Sequence, residues 1–285
     1  MAVHIVADST CDLSAELIAR YQITILPLYV MLGDEEHRDG VTIHAADIFQ
    51  YVDRGGVLPK TAAVAVTDFT ACFEEILTAH PEDEILCLTI GQKFSSCYQN
   101  AVIAAGETGH TVVVDSCNLS SGFGHVVLSA AELAAEGHSA AEISDMLQKD
   151  IIPYVEASFL VDRLDYLRMG GRCSGVAVLG ANLLKLKPCI EVRNGEMIVA
   201  KKYRGTFERC VTQYAQERLA DRAQIRSRRI FITHAAADAS AVAAAKAAIE
   251  AAGGFAEITE THAGCTVSSH CGPNTLGILF IRNAT

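Results

Sequence analysis

The chain has 285 residues, a net charge of −11 at neutral pH and a hydrophobic content of 50%. This length is long for one hydrophobic core and suits two domains of roughly 100–200 residues each. Because nucleic-acid phosphates require a basic face, the acidic charge argues against a nucleic-acid-binding protein.

The first segment of the chain and its cysteines indicate a compartment. No apolar run approaches the ~18 residues of a membrane span, and the opening residues MAVHIVADST lack the basic region of a signal peptide. The ten cysteines are scattered without a Cys-x-x-Cys pair, which is typical of buried thiols rather than of a disulfide framework. We therefore expect a cytoplasmic protein.

Strand and helix patterns alternate in the first half of the chain. Apolar runs predict strands at 4–7, 23–32, 84–90 and 111–115. Amphipathic runs and capping residues predict helices ending near Tyr21 and over 44–52, 67–77, 95–105, 119–135 and 139–149. This alternation predicts an N-terminal α/β domain over residues 1–152, with a mainly parallel sheet flanked by helices.

The pattern changes after Pro153. Strands are predicted at 157–161, 229–234, 256–259 and 276–281, and helices from Thr206 and over 238–252. Asn194-Gly195 lies between two apolar runs and predicts a β-hairpin. Since a hairpin implies antiparallel pairing, we expect a C-terminal domain over 153–285 with a mixed sheet and helices.

The stretch before that hairpin combines a helix end with a basic side chain. A short helix from Leu164 should stop at Gly170-Gly171, because glycine ends helices in the left-handed conformation without a Cβ penalty. Arg172 follows on the predicted turn, and an apolar run over 176–185 predicts another helix before Pro188.

Seven motifs together resemble the DegV family. In chain order they are ADSTCDLS at 7–14, LPK before Thr61, VVVDS at 112–116, LDYLRMGGR at 164–172, LLKLKP at 183–188, KKYRG at 201–205 and HCGPNTLGI at 270–278. The resemblance covers essentially the whole chain. It implies a two-domain DegV-like α/β fold and a non-enzymatic protein that binds a long-chain fatty acid in an apolar tunnel. It also implies that the bound carboxylate is presented to a partner ATP-dependent fatty acid kinase, which forms the acyl phosphate.

The same resemblance implies where the carboxylate binds. Thr61 matches the family's threonine, but Ala62 stands where a serine is usual, and Gly91 and Gln92 stand where the family has two serines. Those hydroxyls hold the acid's carboxylate in the family. The Gln92 amide can donate to the same oxygens, and the lost hydroxyls leave open a carrier of a different anionic amphiphile.

Three basic side chains complete the expected site. The match at His270 implies an anion contact, against the alternative of an exposed histidine on the turn before the last strand. Arg172 has a guanidinium suited to carboxylate or phosphate, and its alternative role is a structural ion pair. Residues 163–209 hold ten of the 23 Lys and Arg residues and four acids. The resemblance implies that Arg204 in this stretch contacts phosphate or the partner, and a solvated face remains the alternative.

An enzyme is the second hypothesis. Ser95 or Ser116 with His270 would suit a hydrolase or acyl transferase, but there is no GxSxG elbow and no P-loop. No cofactor or metal is expected. The acids Asp8, Asp12 and Asp115 fit capped strand ends better than a metal site, and the set His262, Cys265, His270 and Cys271 matches no structural zinc spacing.

Overall fold

The structure is a computed structural model that describes residues 2–173 and 186–284. Its strands are β1 (Val3–Asp8), β2 (Thr24–Leu26), β3 (Tyr29–Leu32), β4 (Glu35–Arg38), β5 (Lys60–Ala62), β6 (Glu84–Thr89), β7 (Thr111–Asp115), β8 (Val155–Leu160), β9 (Leu186–Arg193), β10 (Glu196–Arg204), β11 (Ile225–Ala235), β12 (Glu257–His262) and β13 (Thr275–Arg282). Its α-helices are α1 (Ala15–Arg20), α2 (Ala45–Asp53), α3 (Val66–Ala79), α4 (Cys97–Thr108), α5 (Ser120–Ala135), α6 (Ala140–Met146), α7 (Leu164–Gly170), α8 (Phe207–Arg218), α9 (Ala239–Ala252) and α10 (Cys265–Cys271).

The strands form three sheets. The first is fully parallel in the order β2-β1-β6-β7. The second has six strands in the order β10-β9-β8-β13-β11-β12 and is mixed, because only β11 and β12 pair in parallel. A small antiparallel sheet joins β4, β3 and β5. The predicted α/β class, with a parallel sheet and a mixed sheet flanked by helices, is confirmed.

The prediction of one strand over 23–32 is wrong. The segment divides into β2, which pairs with β1, and β3, which pairs with β4 and β5. Pro27 lies between the two strands and has no N–H to donate to a ladder, so the chain can leave one sheet and enter another there. Strand β5 was missed because it is three residues long. It places Thr61 directly opposite Val30.

The expected turn around His270 is also wrong. His270 lies in the last turn of helix α10, which ends at Gly272 with a left-handed φ of 77°. Gly264 at the start of this helix has no side chain to cap it. The first N–H groups instead bind carboxylates from the other half of the chain, so no local signal marked the helix.

Most other predicted elements are present. The hairpin β9–β10 turns at Asn194-Gly195, and both residues have positive φ, 51° and 75°. Helix α7 ends with Gly171 in the left-handed conformation, as predicted. Asp8 caps the turn at Ser9–Cys11 by accepting the Thr10 N–H. The predicted helix over 176–185 lies outside the described residues.

Helix α5 lies between the parallel and the mixed sheet and contacts both. Phe123 of this helix belongs to a single large hydrophobic cluster that also contains Ile5 from β1 and Leu279 from β13. The His125 Nε2 lies 3.1 Å from the Leu279 carbonyl oxygen. The two predicted domains therefore pack directly against each other; their boundary at 152–153 remains a prediction.

A glycine on α5 makes this packing close. A Cβ at Gly124 would lie 2.7 Å from the Cys11 carbonyl oxygen and 2.8 Å from Leu13 Cδ2. We expect Gly124→Ala to lower the free energy of unfolding by about 1–3 kcal/mol, because overpacking forces the helix away from the 9–13 turn. Urea denaturation measures this change.

The matched control is Gly106→Ala in α4, where an added Cβ meets nothing within 4 Å. There alanine should raise the free energy of unfolding by about 0.5–1 kcal/mol through helix propensity. Equal effects of the two substitutions would contradict the packing of α5 described above.

Candidate ligand-binding site

A cavity of about 490 Å³ lies where both halves of the chain meet. Its lining combines a polar group with a larger apolar group: Thr61, Gln92, Lys93, Ser95, Ser96, Arg172, Thr266 and His270, and Leu28, Ala62, Ala63, Ile90, Phe94, Leu119, Met197, Val267 and Cys271. This volume falls in the range of small-molecule sites, which are mostly apolar with a few convergent polar groups.

The central polar contact joins Thr61 to His270. The Thr61 Oγ1 lies 2.8 Å from the His270 Nε2, across a sequence separation of 209 residues. Strand β5 supplies the threonine and the last turn of α10 supplies the histidine. Two of the predicted site residues are therefore in direct contact.

The environment of His270 keeps its imidazole neutral. Burial, and secondly the positive charge of Arg172, lower its pKa to about 4. Its Nδ1 is buried and has no hydrogen-bond partner among the described residues. A buried N–H without an acceptor is rarer than an unpaired acceptor, so the proton belongs on Nε2. In that tautomer Nε2 donates to Thr61 Oγ1, and the Thr61 hydroxyl is left to donate to a ligand.

The end of α7 explains why the imidazole fits. A Cβ at Gly170 would lie 2.5 Å from His270 Nδ1. Only glycine at this position lets α7 approach α10 closely enough to cover the imidazole. The Gly-Gly of the sequence therefore has two roles, since Gly171 ends the helix and Gly170 makes room for His270.

Arg172 supplies positive charge to the same cavity. Its Nε donates to the Phe94 carbonyl at 3.3 Å and its Nη1 donates to the Gly170 carbonyl at 2.8 Å. Across residues 2–173 and 186–284, no carboxylate forms an ion pair with it. The alternative role as a structural ion pair therefore has no support in this part of the chain.

Helix α10 is held by two buried carboxylates. Asp39 accepts the Cys265 N–H at 2.7 Å and the Thr266 N–H at 3.0 Å. Asp12 accepts the Gly264 N–H at 2.8 Å and the Ser120 hydroxyl. Sequence reasoning missed these roles, because the acids lie more than 220 residues from the helix that they cap.

The match to known proteins decides the family. The family model described as "Uncharacterised protein, DegV family" matches residues 2–283. The chain belongs to the DegV family. The resemblance predicted from the motifs is thereby confirmed.

Similar proteins cover the whole chain. A DegV domain-containing protein of Clostridium acetobutylicum is 32% identical over 98% of both chains. A solved Thermus thermophilus structure, named for fatty acid binding of a DegV family protein, is 32% identical with a TM-score of 0.90, and covers 99% of this chain and 100% of its own. A stearic acid-binding protein from Eubacterium ventriosum is 25% identical with a TM-score of 0.85 over 98% of both chains. Within the described ranges, no helix has the length and apolarity needed to cross a membrane.

The positions where this DegV chain departs from the family motif have other contacts. The Gln92 amide donates to Asp115 Oδ2 at 2.8 Å. Gly91 is buried, donates its N–H to the Asn118 carbonyl at 2.8 Å, and is not among the residues lining the cavity. Ser95 and Ser96 do line it. The adjacent serines before α4 are the sequence signal for these hydroxyls, whereas the sequence predicts for Ser95 only the start of a helix and a role in the enzyme hypothesis.

The remaining candidate site residues do not line the cavity beside Thr61 and His270. Arg204 is exposed at the end of β10 and is not a lining residue. Ser116 is buried, and its hydroxyl contacts Asn118 rather than His270. His262 stacks edge-on against His234, so the set considered for zinc is divided between two places. Among the described residues, no carboxylate orients His270 as in a Ser-His-Asp triad.

A second, apolar cavity of about 20 Å³ lies beside the first. The two share Leu119, Val267 and Cys271, and the smaller one extends to Phe159 and Leu279 between α5 and the mixed sheet. This volume holds no more than about one water molecule.

The buried carboxylate of Asp12 predicts a pH dependence of stability. Burial raises its pKa from 3.8 to about 8. The folded state thus holds a proton that the unfolded state releases, so the contribution of Asp12 to stability is full at low pH and is lost as the pH rises towards about 8. His125 and His270, with pKa values lowered from 6.5 to about 4, act in the opposite direction and offset part of this fall up to about pH 7.5.

We expect the free energy of unfolding to fall by about 0.5 kcal/mol per pH unit from about pH 6.5 to 8, once the opposing histidines are included. Asp12→Asn should remove this slope, because an amide does not titrate in this range, while its oxygen can still accept the Gly264 N–H. Urea denaturation at several pH values tests it, with exposed Asp145→Asn as the control that keeps the slope. An unchanged slope in Asp12→Asn would contradict the protonated state.

Proposed function

We propose that this chain binds a long-chain fatty acid in the 490 Å³ cavity and presents its carboxylate to an ATP-dependent fatty acid kinase. The observation that carries the proposal is the Thr61–His270 pair in a cavity whose lining is about half polar and half apolar. The fatty acid binding of the Thermus thermophilus relative and the stearic acid binding of the Eubacterium ventriosum relative support the ligand class.

The head group would use the polar end. Because Nε2 of His270 donates to Thr61, the threonine hydroxyl can donate to a carboxylate oxygen. Arg172 adds a positive charge whose only contacts among the described residues are two carbonyls, so an incoming anion finds an unneutralised partner. Ser95 and Ser96 supply further hydroxyls in place of the family's serines.

The tail would bind along the apolar lining and widen the second cavity. Burying a chain of about sixteen carbons is worth on the order of 12 kcal/mol at ~0.8 kcal/mol per CH₂, before binding costs. A hydrogen bond to the charged head group adds about 1.5–3 kcal/mol. The acyl chain of the fatty acid therefore supplies most of the affinity. The Thr61–His270 pair fixes which end of the fatty acid faces the opening of the cavity.

The kinase would approach the basic stretch that contains Arg172 and Arg204. On this proposal the carboxylate attacks the γ-phosphate of ATP held by the kinase, giving an acyl phosphate and ADP. The carrier contributes no catalytic group to that step. Because the reaction consumes ATP, we place the protein in the cytoplasm.

Removing the Thr61 hydroxyl tests the head-group site. We expect Thr61→Val in delipidated protein to weaken binding of palmitate by about tenfold or more, through the lost charge-assisted hydrogen bond. Isothermal titration calorimetry measures it. Thr67→Val is the matched control, because Thr67 is exposed and is not among the lining residues.

Wild-type affinity in Thr61→Val would contradict this head-group site. Mass spectrometry of lipid extracted from purified protein distinguishes the ligand class: a co-purified fatty acid supports the proposal, and a different anionic amphiphile overturns it.

Presentation to a kinase is tested separately. Protein loaded with radiolabelled palmitate is incubated with ATP, hydroxylamine and an extract of the source cells, and the acyl hydroxamate formed from acyl phosphate is counted. We expect Arg204→Ala to retain palmitate but to yield several-fold less hydroxamate, because the exposed guanidinium would contact the partner. Equal yield with and without ATP, or in wild type and Arg204→Ala, would argue against this step or this surface respectively.

A further inference from the structure

Two histidines and a carboxylate converge at the end of the parallel sheet opposite to the cavity. His4 lies near the start of β1, whereas the candidate site adjoins the carboxyl ends of these strands. His80 follows α3, and Asp83 precedes β6. Nothing in the proposed fatty acid site uses these three side chains.

Their donor atoms are close. The His4 Nε2 lies 3.1 Å from Asp83 Oδ2, and the His80 Nδ1 lies 3.9 Å from the same oxygen. One donor atom from each residue lies within 4.8 Å of the other two. The imidazole centroids are 5.0 Å apart and the rings are inclined by 30°, so both can face one point.

The backbone holds this arrangement. The Asp83 N–H donates to the His80 carbonyl at 3.1 Å, which closes a turn between the two side chains. The parallel pairing of β1 with β6 places His4 opposite Ile85, next to this turn. Asp83 Oδ1 accepts the Ala2 N–H at 2.7 Å. The Ala2 N–H thus anchors Oδ1 of Asp83 and leaves Oδ2 facing both imidazoles. Hydrogen bonds of this kind orient the ligands of metal ions in proteins.

The chemistry of the three donors fits one class of ligand. Two imidazoles and a carboxylate are a donor set of Zn²⁺ and its neighbours Co²⁺ and Ni²⁺. With bonds of about 2.0–2.2 Å, donors around a tetrahedral ion lie roughly 3.3 Å apart. The His4–Asp83 separation is close to that value, and the 54% exposed side chain of His80 is free to close the remaining gap.

We propose that His4, His80 and Asp83 bind a divalent transition-metal ion such as Zn²⁺, with water completing the coordination. The ion would join strand β1 to the turn between α3 and β6. The proposal replaces the sequence-based expectation of no metal.

A second cluster provides a comparison. His234, Glu260 and His262 also bring three donor atoms within 4.8 Å. However, the His234 Nδ1 accepts the Ala237 N–H at 3.4 Å, which places the ring proton on Nε2. Nε2 is the atom that faces Glu260 at 3.2 Å, so a metal there would have to displace that proton while Nδ1 still faces a donor. The His4 cluster has no such conflict among the described residues.

The test uses full-length protein without a histidine tag. Calorimetric titration with Zn²⁺ should show one equivalent bound, and His80→Ala and Asp83→Asn should each weaken binding by more than about tenfold. His262→Ala, a matched removal of an exposed histidine at the other cluster, should bind as wild type. Binding should also raise the melting temperature, since the ion binds the folded state, and this rise should vanish in His80→Ala.

Several results would overturn the site. They are an absence of saturable Zn²⁺ binding, loss of binding in His262→Ala but not in His80→Ala, and a thiolate charge-transfer band on Co²⁺ titration. The last would assign the ion to a cysteine such as Cys72 or Cys117, which are the partly exposed thiols. Circular dichroism of His80→Ala and Asp83→Asn confirms that each variant is folded, so that lost binding reports the site.

Discussion

The candidate site depends on the capping of a seven-residue helix by carboxylates from the opposite half of the chain. Asp39 and Asp12 accept the first N–H groups of α10, and His270 in the last turn of that helix then reaches Thr61. A short helix is marginal alone, because nucleation costs more than its few hydrogen bonds return. Its position therefore comes from tertiary contacts. Moving either carboxylate would displace the histidine and the polar end of the cavity with it.

Burial gives that polar end its electrostatic character. His270 is neutral because burial and the charge of Arg172 lower its pKa, and Gly170 lets α7 cover it. Arg172 is held by carbonyl oxygens rather than by a carboxylate in the described part of the chain. A neutral donor relay beside an unneutralised guanidinium favours an anionic head group, and the apolar lining favours a long tail. Under the proposed function, the two halves of a fatty acid would thus have separate and complementary partners.

The proposed metal site lies at the other end of the same parallel sheet. Strand β1 runs from His4, beside Asp83, to Asp8, which accepts the Ile90 N–H under the cavity. An ion at His4 would stabilise the strand whose far end supports the proposed fatty acid site. The two proposals rest on different residues, so each can fail without the other.

Local signals were sufficient for most of the fold. Alternating apolar runs predicted the parallel sheet, Asn194-Gly195 predicted the hairpin, and Gly171 predicted the end of α7, because each depends on backbone preferences of adjacent residues. The sequence also carried the family motifs that pointed to Thr61 and His270. Only the tertiary structure decided that α10 is a helix, that Gln92 is held by Asp115, and that Ser95 and Ser96 line the cavity. These features depend on contacts between residues far apart in the chain, and no local pattern records the partner of a buried polar group.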